Sequence, residues 1–352
     1  MRFIQESLLP TFVAALILGP VVLPGCSNAD GFADGFHVSQ DWRREEFTQT
    51  RPRATDILWV IDTSCSMQDE QEALADNFPA FISFFIDREL PFRMGVTSTN
   101  IDEEDTTGLD GKLAGSPSWL DHDSPDVEDR FIERILLGID PGHGAERGLH
   151  ASHIALTERL SDTNVGFLRS YASLVVLVVS DEPDYSTLDN PDSQDFIDHQ
   201  NYSPWLDALK GDTPSHLSAI VGVGADGLDD PEGCVRGGFL GDPNLEHGAL
   251  RGDGYIEAAI DTGGSVQSIC DEDWTLALYR LGLTSAGLLE RFDLSEVPVH
   301  GTITVRVEGS ETSGWSYEST LGAILFAPDA IPEAAASIVV TYRSASEDDS
   351  DS

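Results

Sequence analysis

Three oxygen-bearing side chains at alternate positions, Asp62, Ser64 and Ser66, follow directly on the apolar run Ile57–Ile61. A second carboxylate, Asp181, ends another apolar run, SLVVLVVS, residues 173–180. Hard oxygen ligands of this kind suit Mg2+ or Ca2+ rather than zinc. The D-x-S-x-S spacing is what a tight turn needs to aim alternate side chains at one centre. The hydroxyls are neutral, so they bind an ion without quenching its charge. The ion would keep an open position for a partner's carboxylate.

Such a cup needs elements that bring Asp62 and Asp181 together. Residues 55–61 are short, apolar and β-branched, and read as a buried strand. Leu74, Phe78, Phe81, Phe84 and Phe85 recur at helical spacing, which predicts a helix over 70–85 with Pro79 kinking or splitting it. FRMGVT (92–97) is a second strand. A long, acidic, Gly-rich loop follows over 100–126, its length marking it as functional or mobile. Helices are expected over 127–137, 146–160, 254–261 and 274–283, and strands over 173–180, 216–223 and 265–269. Apolar strands alternating with helices imply an α/β fold, a doubly wound, mostly parallel, Rossmann-like sheet with helices on both faces. Ligands of such sheets bind beyond the carboxyl ends of the strands, where the strand order switches. Asp62 and Asp181 both sit at such ends.

From Phe292 the pattern changes to short strands separated by turn signals, predicting a small C-terminal antiparallel β module. The expected organisation is a signal peptide with a lipobox over 1–26, a flexible tether over 27–53, the α/β domain over 54–290, the β module over 291–344 and an acidic disordered tail over 345–352. No internal repeat is visible.

Over about Ala54–Leu283 the chain resembles the von Willebrand factor A domain and its metal-ion-dependent adhesion site. Asp62, Ser64 and Ser66 match the family's first metal loop, and Asp181 in VVSDEPD matches its later aspartate. The resemblance implies a domain that binds a divalent cation and uses it to grip an acidic ligand. One departure stands out. The family's second loop supplies a threonine, whereas PGHGAERGLH (141–150) has none. Glu146 either stands in at the metal or is a first-turn helix carboxylate facing the macrodipole. The TSTN turn (97–100) could add a hydroxyl behind the ligands. The whole chain is also similar to a group of exported, lipid-anchored bacterial proteins with a cysteine in SICDEDW (268–274) and a Trp-Tyr pattern, Trp315 and Tyr317, in a β-rich tail.

The chain has 352 residues and a net charge of −42, with Lys112 and Lys210 its two lysines. That charge repels nucleic-acid phosphates and anionic membrane surfaces, so no nucleic-acid partner is expected. An apolar, proline-broken stretch from Leu8 to Leu23 ends in LPGC, an export signal in which Cys26 would become the lipidated first residue. The expected location is the cell envelope, lipid-anchored at the outer membrane, on its periplasmic or outer side. Export implies an oxidising compartment. Cys234 and Cys270 flank an irregular Gly-rich stretch and are paired, closing a loop worth roughly 4 kcal/mol in the chain-entropy model. Cys65 is the odd thiol, read as a small residue turned away from the motif.

Other motifs are set aside. RGD (251–253) lies before an expected helix, and GVGADG (222–227) runs into Asp229 and Pro231 instead of a helix, so it offers no phosphate-binding dipole. His143, His150 and His153 match no zinc spacing. Asp181, Glu182, Asp184, Asp189 and Asp192 lack the Gly-centred frame of a calcium loop. No nucleophile elbow, Cys/His pair or cofactor loop is present. The expected role is non-enzymatic: protein binding or adhesion through a cation. The alternatives are a structural envelope protein whose metal stabilises the fold, or a non-catalytic subunit of an envelope enzyme.

Overall fold

A computed structural model describes residues 42–50, 54–101, 108–139, 145–188, 197–237, 246–327 and 330–344. Cys26 with its export signal, the acidic tail over 345–352, His143, Asp189 and Asp192 lie outside the described residues.

The strands of the α/β part are β2 (Thr55–Ile61), β3 (Phe92–Ser98), β4 (Leu120–Asp121), β5 (Ser173–Ser180), β6 (Ser215–Val221) and β9 (Val266–Ser268). They form one six-stranded sheet in the order β4-β3-β2-β5-β6-β9. β4 is antiparallel to β3, and the other pairings are parallel. Six helices cover it: α1 (Gln68–Ile86), α2 (Val127–Ile135), α3 (Gly148–Leu156), α4 (His199–Lys210), α5 (Tyr255–Thr262) and α6 (Thr275–Ser285).

Both faces of the sheet are buried, which is why its central strands are apolar without alternation. In β2, Ile57, Trp59 and Ile61 enter one core with Phe78 and Phe81 of α1, while Leu58 and Val60 enter the other with Leu149 of α3. β5 divides the same way: Val175, Leu177 and Val179 on the first face, Val176 and Val178 on the second. Trp59 meets Phe81 and Phe131 edge-on, with ring centroids 5.1 and 5.5 Å away.

The expected tether over 27–53 is corrected at its end. Trp42–Thr48 is β1, a strand paired antiparallel with β15 (Ser337–Arg343) along its whole length. Its charged, half-exposed composition hides a period of two: Phe47 turns inward onto Phe292, centroids 5.5 Å apart, while its neighbours face solvent. The sheet continues through β11 (Thr304–Val307) and β12 (Ser310–Glu311). A three-stranded antiparallel sheet orders β10 (Arg291–Asp293), β14 (Ala323–Phe326) and β13 (Trp315–Glu318). Phe292, Val305, Ile324 and Val340 join the same apolar cluster as α1 and α6.

α4 and the antiparallel hairpin of β7 (Cys234–Gly237) with β8 (Glu246–Ala249) had no counterpart in the sequence reading. Pro204 masks α4, although Tyr202, Trp205, Leu206 and Leu209 carry its spacing and Asp198 caps it by accepting from the Asn201 N–H at 3.0 Å. Among the described residues no helix is long and apolar enough to cross a membrane.

His216, in β6, has its Nε2 buried without a hydrogen-bond partner. Burial lowers its pKa from an ordinary 6.5 to about 4. The neutral ring is the form that fits, so its stabilising contribution is complete above pH 6.5 and is lost as pH falls toward 4. A His216→Leu variant should lose less stability than the wild type between pH 6.5 and 4, measured by urea unfolding; equal losses would show that another group governs this window.

Candidate metal site at the strand ends

β2 and β5 run side by side, with Ile61 opposite Val179. The Asp62 N–H donates to the Val179 carbonyl at 3.0 Å, so the first residues beyond the two strands stay together. Asp62 Oδ1 accepts from the Ser64 N–H at 2.7 Å, closing the turn that aims the D-x-S-x-S side chains. Asp62 Oδ2 accepts from the Ser180 hydroxyl at 2.5 Å. Ser64 Oγ stands 3.0 Å from Ser66 Oγ and donates to Asp181 Oδ1 at 3.4 Å. Four of the expected residues, Asp62, Ser64, Ser66 and Asp181, thus form one connected cluster. Cys65, between the serines, is exposed and free.

Glu146 is fully buried. It precedes α3, whose first turn holds no acidic residue, so the reading of Glu146 as a first-turn carboxylate is overturned. The Thr99 hydroxyl, just past β3, donates to Glu146 Oε2, and the Arg147 N–H donates to the Thr99 carbonyl at 3.2 Å. The TSTN turn therefore supports Glu146 from behind. Asp62 feels Glu146 and Asp181 directly. Burial, then the charges of Glu146 and Asp181, hold its carboxyl well above the usual carboxylate range, against the opposing hydrogen bonds from Ser180 and Ser64.

Residues that sequence reasoning did not single out hold these loops. Gln71, buried on the first turns of α1, donates through Nε2 to the carbonyls of Asp62 (3.0 Å) and Gly138 (3.1 Å), and its Oε1 accepts from the Gly138 N–H at 3.2 Å. Asp184 accepts from the Leu149 N–H at the start of α3 (3.1 Å) and from the Ser186 hydroxyl (2.9 Å). Burial pushes its carboxyl up to about 6. The Tyr255 oxygen accepts from the Gly148 N–H at 2.9 Å. The Leu250 N–H donates to the Asp181 carbonyl at 2.9 Å. That contact is possible because Gly222 lies so close that a Cβ there would meet the Leu250 oxygen at 1.9 Å. The β7–β8 hairpin leading into Leu250 is pinned by the Cys234–Cys270 disulfide, as the sequence reading paired them.

The donors are all oxygen, which fits a hard divalent cation. Among the described residues no three His, Cys, Asp or Glu side chains are grouped closely enough to hold an ion by themselves, so an ion held here would also need the hydroxyls of Ser64 and Ser66. The His150 and His153 rings lie 6.4 Å apart, and His153 packs on Trp205.

Replacing Gln71 by Leu strands the buried Asp62 carbonyl and breaks both bonds to exposed Gly138. At about 1–3 kcal/mol for a buried group left unsatisfied, Gln71→Leu should lower the unfolding free energy by about 1 kcal/mol or more. A loss under about 0.5 kcal/mol, the range of an ordinary surface change, would refute this clamp.

No protein-family model matches the sequence, and no curated protein matches it. Solved structures do. A von Willebrand factor type A protein from Catenulispora acidiphila is 12% identical over 87% of this chain and 66% of its own length, with a TM-score of 0.36. The pilus adhesin SpaC from Lactobacillus rhamnosus GG, in its open conformation, is 8% identical over 89% of this chain and 44% of its own, with a TM-score of 0.40. The conserved hypothetical protein BatB from Bacteroides thetaiotaomicron is 12% identical over 67% of this chain and 98% of its own, with a TM-score of 0.35. The chain thus spans less than two-thirds of the length of the first two. The chain's own architecture is a mostly parallel sheet between two layers of helices, to which antiparallel sheets are added.

Proposed function

We propose that this chain is an exported, lipid-anchored protein of the cell envelope that binds Mg2+ or Ca2+ and, through it, a protein partner presenting an acidic residue. The observation that carries the reading is the meeting of Asp62, Ser64, Ser66 and Asp181 at the ends of β2 and β5, with the charge of Glu146 acting on Asp62. Asp62, a buried carboxylate under the charges of Glu146 and Asp181, is a group that a divalent cation would stabilise. Asp62, Ser64, Ser66 and Asp181 would hold the ion, and Glu146 would take the place of the family's threonine. When bound, the ion supplies a Lewis-acidic point for a partner's carboxylate. The protein's share is to hold the oxygens in place through Ser180, Gln71 and Thr99 and to keep water away from Asp62. Export and anchoring rest on the sequence around Cys26. The role is binding, without catalysis.

A second reading is favoured by one feature. Asp62, Ser64 and Asp181 are all at most 4% exposed, which suits an ion that stabilises the fold and meets no partner. Half-buried Ser66 and exposed Cys65 mark the side from which a ligand could approach.

Calorimetric titration of Mg2+, Ca2+ and Mn2+ into the purified protein tests the site. Saturable binding should appear in the wild type and vanish in Asp62→Ala. Undiminished affinity in the variant would sink the proposal. Asp181→Asn separates the two readings once the fold is confirmed by circular dichroism: it should abolish partner capture under the first, and only lower thermal stability under the second.

A further inference from the structure

Two arginines of α2 face one cavity, and among the described residues no carboxylate pairs with either. The cavity has a volume of about 210 Å3, and its wall includes Gly115, Ser116, Arg130, Glu133, Arg134 and Leu137. Arg130 and Arg134 lie one helical turn apart, so their guanidiniums share a face. Arg134 is 6% exposed. Its Nη2 donates to the Pro117 carbonyl at 2.7 Å and its Nη1 to the Ser118 carbonyl at 3.4 Å. Arg130 Nη2 donates to the Ser116 carbonyl at 3.0 Å. These neutral oxygens orient the two groups but leave their charges uncompensated. Each guanidinium has five N–H donors, so several remain for a ligand.

Several other arginines among the described residues meet carboxylates: Arg43 with Glu296, Arg159 with Asp110, Arg169 with Asp56 and Arg251 with Glu257; Arg93 meets the Gly166 carbonyl and Trp119 instead. In a chain with 62 acidic residues and 20 basic ones, carboxylate partners are abundant. The α2 pair has instead like charge beside like charge, with exposed Glu133 the acidic residue on the wall. Burial, followed by the charge of Arg130, makes it harder for Arg134 to carry its proton, and Glu133 opposes this in part. Gly115 closes the other side. Its φ is +86°, and a Cβ there would come 2.8 Å from Arg134 Nε. The backbone therefore approaches the guanidinium without a side chain to fill the space.

We infer that this cavity binds a small oxyanion group, a phosphate or a carboxylate, held by the forks of Arg130 and Arg134. Planar guanidiniums match both groups through paired N–H donors. The site is independent of the proposed cation cluster, since it takes the opposite charge and shares no residue with it.

The test is calorimetric titration of inorganic phosphate, and separately of acetate, into the purified protein at low ionic strength with a chelator present, so that no divalent cation can carry the anion. Saturable binding is expected, weakened about tenfold or more in Arg130→Gln, the loss of one charged hydrogen bond, and partly kept in Arg130→Lys. Arg130 carries the test because Arg134 also holds the 117–118 carbonyls. Binding of phosphate alone assigns the ligand as a phosphate group, and binding of both anions assigns a site for small oxyanions, carboxylates included. No saturable binding of either anion by the wild type, or unchanged binding in Arg130→Gln, overturns the inference.

Discussion

The central sheet is buried on both faces, and this decides where chemistry is possible. Alternate residues of β2 and β5 are consumed by two apolar cores, so no side chain between Ile57 and Ile61 or between Leu174 and Val179 can serve a ligand. The first polar side chains appear where the strands stop. Asp62 and Asp181 are placed there by the parallel register of neighbouring strands. A carboxylate in that position is still out of water, and burying its charge is unfavourable unless hydrogen bonds or an opposite charge compensate. The Ser64 N–H and the Ser180 hydroxyl compensate in part; Glu146 and Asp181 make the position worse. The fold thus holds Asp62 where its charge is unfavourable, which is the ground of the proposed cation site.

Loops from distant parts of the sequence must also keep their places around that point, and each is held by a side chain from elsewhere. Gln71 ties the turn after β2 to the turn near Gly138. Asp184 and Tyr255 tie the start of α3 to the segment after β5 and to the first turn of α5. The disulfide ties the β7–β8 hairpin to the residues before α6. Such cross-ties make the end of the sheet one arrangement rather than several mobile loops. They are the kind of support that fixes ligand oxygens before an ion arrives.

The strongest sequence signals were those in which local pattern and tertiary environment agree. The runs at 55–61 and 173–180 emerged as strands with those bounds because both faces of each strand are buried and the turn-forming polar residues start abruptly after them. The cluster of Asp62, Ser64, Ser66 and Asp181 was legible for the same reason, since strand ends in a parallel sheet converge. β1 was not legible: WRREEFT looks like polar tether, and only its pairing with β15 gives Phe47 an inside. Pro204 concealed α4. Glu146 was ambiguous because two residues separate a first-turn position from one just before the helix, and helix starts cannot be read that finely from a sequence. Gln71 and Tyr255 were invisible as supports, because their partners are backbone groups far away in the chain.

The net charge of −42 explains less than it first promises. Beyond about 10 Å at ordinary ionic strength, exposed charges are largely screened. The general field therefore gathers cations around the molecule without choosing a place for them. Choice comes from groups withdrawn from water, where each neighbouring charge counts for more. The crest of the sheet withdraws carboxylates and leaves them facing one another. The face of α2 withdraws the Arg134 guanidinium in the same way and sets half-buried Arg130 beside it, in a chain that has acidic partners to spare. Opposite preferences can therefore coexist in one acidic protein, because each is set within a few ångströms by which groups are buried together and which hydrogen bonds they have been given.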